Sequence, residues 1–128
     1  MSVNEEGRQT EIADELAEVA RTLVHSTRTV PHPSDSYELL ASLRSAQESL
    51  AQVYSQLAAW HGAAVDGTHY NGEDGHGIPG LPAAGTYGQA TALLNMAADS
   101  ATKTADLVGK AHSANGVVRW FDDVKETV

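Results

Sequence analysis

The chain has 128 residues, no cysteine, and 17 acidic side chains against 8 basic ones, for a net charge of −9. Without cysteine there are no disulfides, no thiolate chemistry and none of the cysteine-built zinc sites. The basic residues are scattered singly, so the chain lacks the clustered positive face that phosphates or anionic lipids require; this argues against nucleic-acid and membrane partners.

At this length one domain is expected. Its class is all-α, because alanine and leucine dominate and no run alternates with the period of a strand. The opening "MSVNEEGRQTEIADE" has no apolar segment, and nothing approaches the ~20 apolar residues of a membrane span, so a cytoplasmic location is expected. Residues 1–9 read as a disordered arm.

The first helix is expected over residues 10–26. Ile12, Leu16, Val19 and Leu23 recur at spacings of four, three and four, which makes one apolar stripe. Glu11, Asp14, Glu15 and Glu18 lie off it and suit the positive end of the helix dipole. Thr10 is the expected N-cap. In "TRTVPHP", Pro31 and Pro33 end the helix because neither can continue its ladder.

The second helix, expected over residues 34–61, has the clearest pattern. Ser34 or Asp35 can cap it, with Glu38 following. Leu39, Leu43, Ala46, Leu50, Val53, Leu57 and Trp60 then hold an unbroken 4-3-4-3-4-3 spacing, the seam of a coiled-coil-like bundle with Leu50 at its centre. Gly62 is the stop signal. Ser42, Ser45, Ser49, Gln52 and Gln56 form a second, uncharged stripe, which reads as plain surface or as a semi-buried helix contact.

A Gly-rich loop, 62–85, follows. Between Asp66 and Gly85 it holds six of the eleven glycines and two of the four prolines. The third helix is expected over residues 86–112, with Ala90, Leu94, Ala97, Ala101, Ala105 and Val108 along its stripe and Leu93 and Ala98 alongside. Asp99, Lys103, Asp106 and Lys110 form a solvated face. "SANG" then breaks the chain at Gly116. A short fourth helix over residues 117–127 would carry Val117, Trp120, Phe121, Val124 and Val128.

Together these segments suggest an up-down helical bundle. Helix one and helix four are both short and sit at the same end of a long helix-two to helix-three hairpin. At the other end only two helices would cover the apolar seam, and an uncovered patch of that kind marks an interface. Val53, Leu57, Trp60 and Tyr87 are therefore the candidate partner-binding residues, with Trp120 and Phe121 as further anchors. The cover is either the Gly-rich loop folded back or a second copy of the chain. The homodimer is the favoured reading, because a Gly-rich segment loses much entropy on ordering.

Chemistry is thin. Asp66, His69, Glu73, Asp74 and His76 are metal-ligand types, and Glu73-x-x-His76 has the spacing of a di-iron helix motif. That motif needs a second copy on another helix, and none exists. The cluster reads as a solvated polar loop, with no metal and no cofactor. No nucleophile elbow or phosphate loop occurs. His25, His32, His61 and His112 lie near helix ends, where imidazoles cap carbonyls. The adjacent helix-one carboxylates read as a solvated face, so no catalytic residue is expected.

Two resemblances add to this. "RTVPHPSDSYELLASLRSAQESLAQVYSQLAAWH", followed by a Gly-rich spacer and an Ala-rich helix, resembles a group of small all-helical actinobacterial proteins often associated with mobile elements. That resemblance implies an accessory protein rather than an enzyme. Trp60-His61-Gly62 between two helices resembles the Trp-x-Gly turn of the WXG100 (ESAT-6-like) family, whose members are exported by type VII secretion. Here the turn is replaced by a long insertion, and Tyr70 to Asp74 matches the family's export motif only within the loop. The expected function is thus a non-catalytic, self-associating protein acting through protein–protein contacts. An exported WXG100-type partner protein and a metal- or small-molecule-binding bundle are the alternatives.

Overall fold

The computed structural model describes residues 6–64 and 88–123. Among them the regular structure is wholly helical, with no strand.

A 3-10 turn, Glu6–Arg8, leads into α1, Gln9–Ser26. Residues 6–9 of the expected arm are therefore helical, residues 1–5 lie outside the described ones, and Thr10 lies inside the helix rather than capping it. Arg8 precedes α1 without a side-chain cap. Its guanidinium instead donates to Glu11 and Glu15, each at 3.0 Å, so the acidic first turns hold a cation where a cap was expected. At the other end, the Leu23 carbonyl accepts from the Thr27 N–H at 2.9 Å and from the Ser26 and Thr27 hydroxyls at 3.1 and 2.8 Å. α1 buries none of its residues; Ile12, Leu16 and Val19 are exposed.

α2 spans Asp35–Ala63 and α3 spans Thr91–Asn115. Pro33 shapes the entry to α2: its carbonyl accepts the Ser36 N–H at 3.1 Å, while His32 accepts Asp35 at 2.8 Å. α2 runs straight through Gly62, the expected stop. α3 is preceded by a wider, π-type turn over residues 88–90 and continues three residues past the expected end. At ~1.5 Å per residue these helices are about 43 and 37 Å long.

The expected C-terminal helix is absent over residues 117–123; its last residues lie outside the described ones. After Gly116 the Val118 N–H returns to Asn115 at 3.1 Å, Arg119 donates to the Gly116 carbonyl at 3.3 Å, and the chain leaves helical geometry. Two adjacent β-branched valines and only three turns of amphipathic pattern cannot offset the cost of nucleating a new helix.

The chain divides into two compact units, Met1–Ser36 with Trp120–Val128, and Tyr37–Arg119. In the first, the Ser34 N–H donates to Asp122 Oδ1 at 3.0 Å. In the second, α2 and α3 form an antiparallel hairpin. Thr91 Oγ1 donates to the Ala58 carbonyl at 3.4 Å, Arg44 crosses Gly109, and Tyr37 stacks on His112.

Small residues make this hairpin close. Ala58, Ala64, Ala101, Ala105 and Gly109 are the buried residues of the described unit, and no large side chain is fully buried. A Cβ on Gly109 would stand 3.1 Å from the Arg44 guanidinium. Gly116 ends α3 with φ −62°, a right-handed value open to any residue, so its requirement is space: a Cβ there would meet Tyr37 Cε1 at 3.1 Å.

One expectation is corrected in register. The leucine seam of α2 only borders the contact with α3: Leu39 and Leu50 are half-buried, while Leu43, Ala46, Val53, Leu57 and Trp60 are exposed. The contact stripe is the neighbouring one, with Leu40, Gln47, Ala51 and Tyr54 half-buried and Ala58 buried. Ala51 and Ala58 admit the alanine-rich α3 at short range, where leucines would hold it off. Leu50, expected at the core's centre, is only half-buried.

Candidate interaction surface

The register of the hairpin decides what its two broad faces carry. In an antiparallel pair, residues one position before the contact residues turn to the same side on both helices, and residues one position after turn to the other. On α2 the positions before the contacts are Leu39, Leu43, Ala46, Leu50, Val53, Leu57 and Trp60. On α3 the equivalent positions are Leu93, Ala97, Ser100, Thr104, Leu107 and Ala111. None of these thirteen is charged.

This face is open. Leu57 is 44% exposed and Trp60 54% on α2; Leu93 is 63% and Leu107 64% exposed on α3. Leu43 and Val53 are exposed as well. The Trp60 ring meets His61 edge-on, with centroids 4.9 Å apart and planes at 87°.

The opposite face is polar. Arg44, Glu48, Ala51, Thr102, Ala105 and Asp106 line an open groove of about 280 Å³. Arg44 pairs with Glu48 at 3.0 Å, and Lys110 with Asp106 at 3.2 Å. These exposed pairs contribute little to stability, but they mark the solvated side of the hairpin.

The expected partner-binding residues are thus placed as follows. Val53, Leu57 and Trp60 share the open face. Tyr87 lies outside the described residues. Trp120 and Phe121 are exposed, in the irregular stretch after α3 rather than on a helix, and belong to the other compact unit. The uncharged residues Ser42, Ser45, Ser49, Gln52 and Gln56 are all exposed. Sequence reasoning missed Leu93 and Leu107 as surface residues. The clue was available: each precedes a residue of the α3 stripe by one position.

Among the described residues no group of three or more His, Asp or Glu side chains could hold a metal. The Asp66–His76 cluster lies outside them. Two of the histidines at helix ends make ring contacts: His61 meets Trp60 edge-on, and His112 meets Tyr37. His112 stacks on Tyr37, with ring centroids 3.9 Å apart, and its buried Nε2 has no hydrogen-bond partner. Among the described groups one carboxyl stands out: hydrogen bonds from the Ser34 hydroxyl, then from the Ser34 N–H, hold Asp122 below the usual aspartate value, with His32 adding to the effect. That carboxyl is at the surface and ties two segments together. No helix among the described residues is long and apolar enough to cross a membrane. No family model matches the chain, and neither the curated proteins nor the solved structures include a match to it.

Proposed function

We propose that this is a non-catalytic helical protein that works in the cytoplasm through protein–protein contacts, self-association among them, and that the charge-free face of the α2–α3 hairpin is its contact surface. One observation carries the reading. A chain with a net charge of −9 leaves Leu43, Val53, Leu57, Trp60, Leu93 and Leu107 exposed on a face without a single charge. Scattered apolar residues on a surface need no explanation, but a contiguous patch of this kind marks an interaction site.

The burial pattern supports the same reading. A hairpin whose buried side chains are alanines gains only ~0.8 kcal/mol per buried methyl-sized group, little against the entropy of ordering two long helices. Added burial from a partner would supply what the chain lacks. Photo-crosslinking tests this in cells of the native host. A photoreactive residue at Val53 should give discrete adducts, and one at Gln52, on the other side of α2, should not. Equal labelling at both positions, or none at Val53, would refute it.

A further inference from the structure

Resting on that reading, we infer that the occupant of the open face is a second copy of this chain, docked hairpin on hairpin to complete a four-helix bundle. Three features of the face point to a copy of itself.

The first is area. Scaled by their exposures, the six exposed apolar side chains of the face leave roughly 600 Å² open. With the alanines, serine and threonine around them the face approaches the ~800 Å² per partner of a stable interface.

The second is shape. The contacts of Arg44 with Gly109 and of Gly62 with Thr91 fix which residues stand at the same height. Leu43 falls beside Ala111, Leu57 beside Ala97 and Ala46 beside Leu107, so in these layers a large residue stands next to a small one, while Trp60 and Leu93 share the end layer. A two-fold axis running parallel to the helices sets each α2 against the other copy's α3 at the same height, so these layers combine large with small and the end layer gathers Trp60 and Leu93 of both copies into one apolar cluster. It also makes every neighbouring helix pair antiparallel, as in up-down bundles.

The third is charge. Two acidic chains repel one another wherever their carboxylates meet. Stacking through this face turns the Arg44, Glu48 and Asp106 groove outward on both copies, and the α2 and α3 positions that meet carry no charge.

Sedimentation of the full chain tests the inference, with helicity followed by circular dichroism. The parent is expected to be dimeric at micromolar concentration. Leu57→Glu and, separately, Leu93→Glu should each weaken the dimer on the order of 30-fold or more, because each buries an unpaired carboxylate in it. Gln52→Glu, on the polar side, should leave it intact and helical. A parent that stays monomeric at millimolar concentration overturns the inference, and adducts to another protein at Val53 would still leave the contact function standing. A dimer that survives both face variants but dissolves in Leu16→Glu also overturns it, because self-association would then run through α1.

Discussion

The ring of Tyr37 stacks on the imidazole of His112, with centroids 3.9 Å apart and planes inclined by 29°. This contact joins the first turn of α2 to the last turn of α3 and closes one end of the hairpin. It also buries His112 Nε2 without a hydrogen-bond partner. A buried polar atom left unpaired costs about 1–3 kcal/mol. His112→Phe keeps the stack and removes the unpaired nitrogen, so thermal unfolding should move upward or stay level. His112→Ala removes the stack as well and should destabilise by about 1–2 kcal/mol. Stabilities in the reverse order would show that the ring packing is not what holds this end.

The two close glycines should respond differently to the same substitution. At Gly109 the added methyl meets the flexible, half-exposed Arg44 side chain at 3.1 Å, which can move aside. Alanine also favours a helix interior by up to about 1 kcal/mol over glycine. Gly109→Ala should therefore be neutral or mildly stabilising. At Gly116 the methyl meets Tyr37 Cε1 at 3.1 Å and the Ser113 carbonyl at 3.2 Å, a stacked ring and a fixed backbone. Gly116→Ala should destabilise by roughly 1 kcal/mol or more. Chemical denaturation of both variants checks the contrast.

The contact between Ser34 and Asp122 should loosen in acid. Asp122 is held below its ordinary value of 3.8, so the folded state favours the carboxylate. The stabilisation is then fully present above that ordinary value and is lost as pH falls through the lower, folded-state one. The Ser34 amide resonance should shift over that acid range, following Asp122. Asp122→Asn should remove this titration, and a shift that persists in the variant would assign the effect to another group.

How much of this was legible in the sequence depends on what periodicity can encode. A 3.6-residue period says which side of a helix is apolar, and α1, α2 and α3 were found that way to within a few residues at each described end. It does not say which neighbour takes that side. The Leu39–Trp60 seam was visible, and the chain still packs α3 on the stripe beside it, because Ala51, Ala58, Ala101 and Ala105 allow an approach that leucines prevent. Alanines contribute weakly to a hydrophobic pattern, so the close-packed seam was the quieter of the two. Trp120 and Phe121 misled in the opposite way. Their spacing with Val117 suits a helix, but the segment is too short to hold one by itself.

The contact surface was partly readable for the same reason. Val53, Leu57 and Trp60 were picked for a lack of covering helices at one end of the hairpin. They are exposed because α2 is rotated relative to α3, and the open face runs the length of the hairpin, from Leu43 to Trp60. Leu93 and Leu107 complete it, and only the antiparallel register brings them to the same side.

Trp60 offers the most direct test of whether this face is a contact surface. In a Trp120→Phe background Trp60 is the sole tryptophan, and in the single chain it is 54% exposed. Its emission should lie to the blue at high protein concentration, where a second copy covers the face. Dilution should move it to the red, and Leu57→Glu should bring that shift to higher concentration. Emission that stays red and unchanged across the whole concentration range, with the helices intact, would contradict the account.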